Sequence, residues 1–162
     1  MNQPGAVVRL LPIGEASLAD IARLHNDPQV RTHLPLATMA FDEALALAWR
    51  NEKARLWSEH GYGPWVVELN GAFAGWGGPQ PENGEADLAL VLLPEAWGHG
   101  LAICKAVLKR AFDELKLPSM TALLPPSRVR QRGMQRMGFV PDGEFVIDGQ
   151  RFVRYRMFAQ AA

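Results

Sequence analysis

The chain has a single cysteine, Cys104, so it holds no internal disulfide framework and no multi-cysteine metal site. Its four histidines, at positions 25, 33, 60 and 99, follow no H-x-x-x-H or related ligand spacing, which argues against a metal. No apolar run approaches the ~20 residues that a membrane span needs. The first residues, M-N-Q-P-G-A-V-V-R-L-L-P, lack a secretory apolar stretch, so a cytoplasmic protein with no membrane partner is expected. Net charge is missing too: 17 basic residues balance 17 acidic ones, and nucleic acid is not the expected partner. Repeats, low-complexity tracts and linker-like stretches are absent. The 162 residues therefore read as one domain, 1–162, long enough to bury about two-thirds of its unfolded surface in a single core.

The charge that is present is unevenly placed. Residues 105–162 carry 11 Lys/Arg and 5 Asp/Glu, whereas residues 1–104 carry 6 and 12. Two faces that prefer partners of opposite sign are one reading, and an accident of solvated surface is the other.

Local patterns divide the chain into alternating elements. A-V-V-R-L-L-P (6–12) reads as a strand. Ser17-Leu-Ala-Asp20 has the form of a capping box and opens a short helix to about His25, which N-D-P (26–28) breaks. Phe41, Ala44, Leu45, Ala48 and Trp49 mark a second amphipathic helix towards Glu59. Asn70-Gly71 between W-V-V-E-L (65–69) and A-F-A-G-W (72–76) is a hairpin signal, because a type I′ turn needs positive φ twice. A-D-L-A-L-V-L-L (86–93) follows as a strand. Leu101, Cys104, Leu108, Ala111, Phe112 and Leu115 then recur at helical spacing. M-T-A-L-L (120–124) is a buried strand, and residues 127–137 a short helix stopped by Gly138. V-I-D-G-Q-R-F-V-R-Y-R-M-F (146–158) closes the chain as a hairpin about Asp148-Gly149. The order predicts an α/β (α+β) sandwich with a central mixed, mostly antiparallel sheet of about six or seven strands and about four flanking helices.

The helix after 86–93 begins in Trp97-Gly98-His99-Gly100-Leu101-Ala102, with almost no side chain on its first turn. Helix N-termini carry N–H groups without intrahelical partners and a partial positive charge, and small residues let an anion such as a phosphate approach them. The P-loop pattern fails, because no Lys-Ser/Thr follows. The dinucleotide fingerprint fails at Ile103, where its third glycine would stand. Tight packing of helix on strand remains the alternative to an anion site.

The surrounding sequence resembles the GNAT superfamily of acyl-CoA N-acyltransferases. Their cofactor motif, [RQ]-x-x-G-x-[GA], matches at Gly100 and Ala102 and departs at Trp97. P-E-A-W-G is similar to the P-E-Y-W-G-K-G of a branch that resembles the ribosomal-protein N-terminal acetyltransferases. N-D-P-Q-V-R-T-H-L-P-L (26–36), A-D-L-A-L-V-L-L-P-E-A-W-G (86–98) and R-G-M-Q-R-M-G-F (132–139) resemble that branch as well, so the likeness spans about residues 7–158. It implies acetyl-CoA as co-substrate. The backbone of Gly98, His99, Gly100, Leu101 and Ala102, beside Trp97, would hold the pyrophosphate. The strand at Leu90, Val91 and Leu92 would flank the pantetheine arm, in a gap that the family opens with a bulge.

The reaction so implied is attack of a primary amine on a thioester within a ternary complex, which needs a base and an acid. Asp87 stands where related sequences carry a Glu, and a carboxylate there could accept the amine proton through one water. Pairing with a surface arginine is its other reading. The acid is less defined: the Tyr that relatives place before the G-F pair is Met134 here. Ser127 could bond near the sulfur or cap its helix, and Tyr62 is a further candidate. Arg128 and Arg132, spaced with Arg136, could meet the 3′-phosphate or form a solvated face. Cys104 lies on the core stripe and reads as packing. A non-catalytic acyl-CoA sensor or interaction module of the same fold is the alternative to an enzyme. The acceptor, a small amine or a protein N-terminus, is left open, as is a homodimer.

Overall fold

The computed structural model describes residues 5–33, 40–126 and 131–160. Its elements run β1 (Val8–Pro12), a 3-10 turn (Ile13–Glu15), α1 (Leu18–Asn26), α2 (Pro28–Thr32), α3 (Glu43–His60), β2 (Trp65–Leu69), β3 (Ala72–Glu82), β4 (Glu85–Leu92), a second 3-10 turn (Pro94–His99), α4 (Gly100–Asp113), β5 (Ser119–Leu124), α5 (Gln131–Met137), β6 (Val140–Ile147) and β7 (Gln150–Phe158). The seven strands form one sheet in the order β1-β2-β3-β4-β5-β7-β6, antiparallel at every pair except β4–β5. This is the mixed α/β architecture expected from the sequence.

The starts and stops of the helices are local chemistry. Ser17 Oγ accepts from the Asp20 amide and Asp42 from the Leu45 amide, each satisfying a first-turn N–H. Gly138, at φ 101°, ends α5, and the Phe139 amide reaches back to the Met134 carbonyl in a Schellman closure. The Asn70-Gly71 and Asp148-Gly149 pairs both have positive φ, as type I′ hairpins require.

Two expectations need correcting. N-D-P does not simply break a helix. Asp27 ends α1, and its carboxylate then accepts from Gln29 and Val30 to start α2, with Pro28 at a helical position that needs no N–H. The strand expected to end at Trp76 runs on to Glu82 through G-G-P-Q-P. Register there explains the tolerance for proline: β2 pairs with β3 only as far as Gly77, so Pro79 and Pro81 face β4 alone. Asn83-Gly84, both at positive φ, turn the chain into β4. Gly75 is needed for close approach, since a Cβ there would lie 2.1 Å from the Val91 carbonyl.

Side chains alternate across β4. Ala86, Leu88, Leu90 and Leu92 join the core cluster with Ile103, Val107, Leu108 and Ala111 of α4. Ala89 and Val91 join the cluster on the other face, with Ile21, Leu24 and Ala46 of α1 and α3. By this alternation Asp87 belongs to the α1–α3 face.

Candidate active site

The sheet comes apart between its two central strands. β4 and β5 pair at Asp87↔Thr121 alone, while β4 keeps an unbroken register with β3 from Glu82↔Glu85 to Gly75↔Leu92. Past Asp87, Leu88–Leu92 therefore have β3 on one side and, among the described residues, no paired strand on the other. The gap needs no bulge in β4. The register shifts lie elsewhere, at Val67/Glu68 on β2–β3 and at Pro141/Glu144 on β6–β7.

A cleft of about 610 Å³ fills this fork. Its walls come from both faces of the sheet: Gly100, Leu101 and Cys104 of α4, Met134 and Met137 of α5, and Val30 of α2 with His33 at its C-terminal cap. Leu90, Val91 and Leu92 form one edge and Leu124 the other. The fork is thus a passage through the sheet. Trp97 and Leu101, 42% and 57% exposed, stand at its mouth although both are large and apolar. The Trp97 indole is fixed there, donating from Nε1 to the Leu92 carbonyl at 2.9 Å and meeting the His33 ring edge-on at 5.3 Å.

The small residues of the turn are not explained by packing. Among the described residues, a Cβ built on Gly98 or Gly100 would meet no atom within 4 Å, and neither glycine has positive φ. The glycines of β3 are the contrast, since at Gly75, Gly77 and Gly78 an added Cβ would fall under 3.0 Å from a neighbour. The strand also does not run straight into α4, because the 3-10 turn intervenes and closes with the Gly100 amide donating to the Trp97 carbonyl. Gly100 therefore contributes an absent side chain rather than a free amide. The next amides of the first turn, at Leu101 and Ala102, are the ones whose helix position leaves them to an outside acceptor. No side chain caps α4, whereas Ser17, Asp27 and Asp42 cap the three helices before it. An uncapped, unobstructed helix start over an open cleft fits a phosphate-bearing ligand.

At the closed apex of the fork sits Asp87. The Thr121 hydroxyl, 3% exposed, donates to Asp87 Oδ1 at 2.6 Å. Burial pushes the carboxyl up to about 7, with Glu82 and Glu85 adding and the Thr121 hydrogen bond and Arg154 opposing. Asp87 is thus not spent on a surface arginine. Glu85, two residues before it, is the carboxylate so paired: Arg156 bonds it at 2.8 Å and holds its carboxyl below the usual range. Asp142 joins Arg156 and Arg154, each at 2.9 Å. A group half ionised at neutral pH, with a second carboxylate network drawn off to the side, suits a general base.

The α1–α3 face beside the apex is aromatic. His25 donates from Nδ1 to the Ile21 carbonyl at 2.9 Å and accepts from Trp76 Nε1 at 3.2 Å, a pair of partners that fixes its neutral tautomer. Phe41 stacks on its ring, and Lys53 lies over Trp49 and Trp76 while donating to Gln80, the cross-strand partner of Asp87. Sequence reasoning missed Thr121, His25, Lys53 and Gln80.

Of the other candidates, Leu90, Val91, Leu92, Trp97, Gly100 and Leu101 line the cleft, and Gly98 and His99 are exposed beside it. Arg132 is exposed on α5, next to the lining residue Gly133. Ser127 and Arg128 lie outside the described residues. Tyr62 is not brought to the cleft. Its ring packs on the α4-side cluster and tilts against His60 at 5.8 Å. Cys104 lines the cleft, but burial pushes its thiol up to about 11, against a nucleophile.

Comparison with known proteins agrees with this geometry. The sequence model of the acetyltransferase (GNAT) domain matches residues 8–140. A GNAT-family acetyltransferase of Bordetella pertussis superposes with a TM-score of 0.71 at 18% identity, covering 91% of this chain and 93% of its own. One from Bacillus anthracis gives 0.71 at 19%, covering 95% of each chain. Spermidine N-acetyltransferase of Vibrio cholerae, solved with CoA and spermine, gives 0.68 at 18%, again covering 95% of each. These structures share the fold, and the family match covers most of the sequence: the chain belongs to the GNAT acetyltransferases, enzymes that take an acetyl group from acetyl-CoA.

Proposed function

We propose that the chain, as one catalytic domain, acetylates a primary amine by direct attack within a ternary complex, with Asp87 as the base at the apex of the β4–β5 fork. The observation that carries the reading is the fork: a single bridge at Asp87↔Thr121 with an open cleft of about 610 Å³ beyond it. Acetyl-CoA supplies the thioester. The small residues Gly98, Gly100 and Ala102 leave room for its pyrophosphate against the first-turn amides of α4, and Arg132, exposed beside the lining residue Gly133, is offered for a further phosphate. Leu90, Val91 and Leu92 edge the arm's passage.

Asp87 lies three residues from Leu90, roughly 10 Å along the strand. That separation favours proton transfer from the amine through a water over direct contact. Met134 contributes no proton, so the departing thiolate takes one from solvent or from Ser127. The acceptor belongs to the amines as a class. Glu82 and Asp87 lie on the face where it would enter, and their charge favours a cationic amine. The spermine-bound relative from Vibrio cholerae and the likeness to ribosomal-protein N-terminal acetyltransferases support a polyamine and a protein N-terminus respectively. Titration calorimetry of acetyl-CoA, CoA, ATP and NAD tests the cofactor. Micromolar binding confined to acetyl-CoA and CoA is expected, and equal or tighter ATP or NAD binding removes the reading. Free-thiol release with an amine panel then names the acceptor.

A further inference from the structure

We propose that Thr121 is a positioning residue for catalysis: its hydroxyl holds the Asp87 carboxylate at the apex of the fork and favours its ionised form. The inference rests on Asp87 being the base. Thr121 is on β5, outside every motif of the family resemblance, and is one of the few polar side chains that the sheet buries. Its hydroxyl spends its one proton on Asp87 Oδ1 at 2.6 Å, a short bond of the kind made to a charged acceptor. The same residue provides the only backbone bridge between β4 and β5 among the described residues. One side chain therefore ties the base to the strand across the gap, where the two strands are about to part.

The hydroxyl also works against the surroundings. Burial disfavours the carboxylate, and Glu82 and Glu85 face it with like charge. Arg154 opposes them, but it already bonds Asp142 at 2.9 Å and lies 3.7 Å from Glu85. Lys53, from α3, reaches Gln80 rather than Asp87. Among the described residues, the Thr121 hydroxyl is the one hydrogen-bond donor to the Asp87 carboxyl. Removing it leaves burial and the two glutamates opposed only by Arg154, whose charge is shared with Asp142 and Glu85.

Thr121→Val keeps the branched shape and deletes the hydroxyl, and Thr121→Ser keeps the hydroxyl. The test is the pH profile of kcat/KM for thiol release with one fixed amine, in parent, both variants and Asp87→Asn. Loss of one hydrogen bond to a charged group should move the acidic limb up by about one pH unit. With the parent half ionised near 7, that is about a fivefold loss at pH 7 that fades towards pH 9. Thr121→Ser should restore the parent profile. A limb that comes from the amine's own titration stays put in all variants, so the shift itself is diagnostic. Equal loss at every pH in Thr121→Val, or an unmoved limb, overturns the positioning role while Asp87→Asn still lacks the parent limb. If Asp87→Asn keeps both rate and limb, the base assignment fails first and Thr121 falls with it.

Discussion

Asp87 should make the fold less stable at the pH where it makes the enzyme active. Its carboxyl titrates near 3.8 in an unfolded chain and at about 7 in the fold. A carboxyl whose folded pKa is raised contributes no penalty below the unfolded value. The penalty grows as pH climbs from about 4 to about 7, because the unfolded chain ionises first, and it levels off above 7. At 1.36 kcal/mol per unit, the full penalty is about 4 kcal/mol, of which about 2.5 kcal/mol accrues between pH 5 and pH 8. Asp87→Asn removes the titration, and its amide oxygen can still accept from Thr121. Any fixed cost of the new amide cancels when the variant is compared with the parent at two pH values. The stability of Asp87→Asn relative to parent should therefore rise by up to about 2.5 kcal/mol from pH 5 to pH 8, or roughly 5–10 °C in melting temperature for a chain of this size. Thermal unfolding at a series of pH values measures it. A difference that stays constant with pH refutes the raised carboxyl. Turnover should fall in the same variant by about 10²-fold or more, with acetyl-CoA affinity unchanged.

Other perturbations separate the parts of the site. Gly100→Glu puts a carboxylate into open space beside the α4 amides, so acetyl-CoA binding should drop below detection by calorimetry while the melting temperature stays within a few degrees of parent. Arg156→Ala strips Glu85 and Asp142 of a shared partner; because both carboxylates are about one-third exposed, a loss of only about 1–2 kcal/mol in denaturant unfolding is expected. With its thiol near 11, Cys104 should resist iodoacetamide at pH 8 in the native protein and react on unfolding. Cys104→Ala should keep turnover within a few fold, as a packing residue would.

What the sequence made legible follows the range of each interaction. Caps and hairpin turns are decided within four residues, so Ser17, Asn70-Gly71, Asp148-Gly149 and Gly138 could be read directly. Asp27 was harder because one side chain serves two helices in succession. The far half of β3 was hidden because glycine and proline normally argue against a strand, and only the early end of β2 makes them acceptable there. Asp87 could be singled out from the residues around it. Thr121 could not, since the two are 34 residues apart in sequence and meet through one bridge. His25 and Trp76, 51 residues apart, are the same case.

The fork itself is the least legible feature, for a further reason. Strand propensity and alternation report where pairing is favourable, yet the passage exists because β4 and β5 decline to pair beyond Asp87. Val91, Leu92 and Leu124 are good strand residues on either side of it, and nothing in their composition distinguishes a zipped pair from a parted one. The glycine turn carries the complementary signal. In a packed protein a small residue usually means that a neighbour is close, but Gly98 and Gly100 have no neighbour within 4 Å of a would-be Cβ among the described residues. Small residues with empty space above them, beside strands with unused edges, describe the outline of something the chain does not itself contain. The turn follows β4 directly, but the other edge, at Leu124, comes from β5, and only the meeting of the two in the fold gives either absence a chemical meaning.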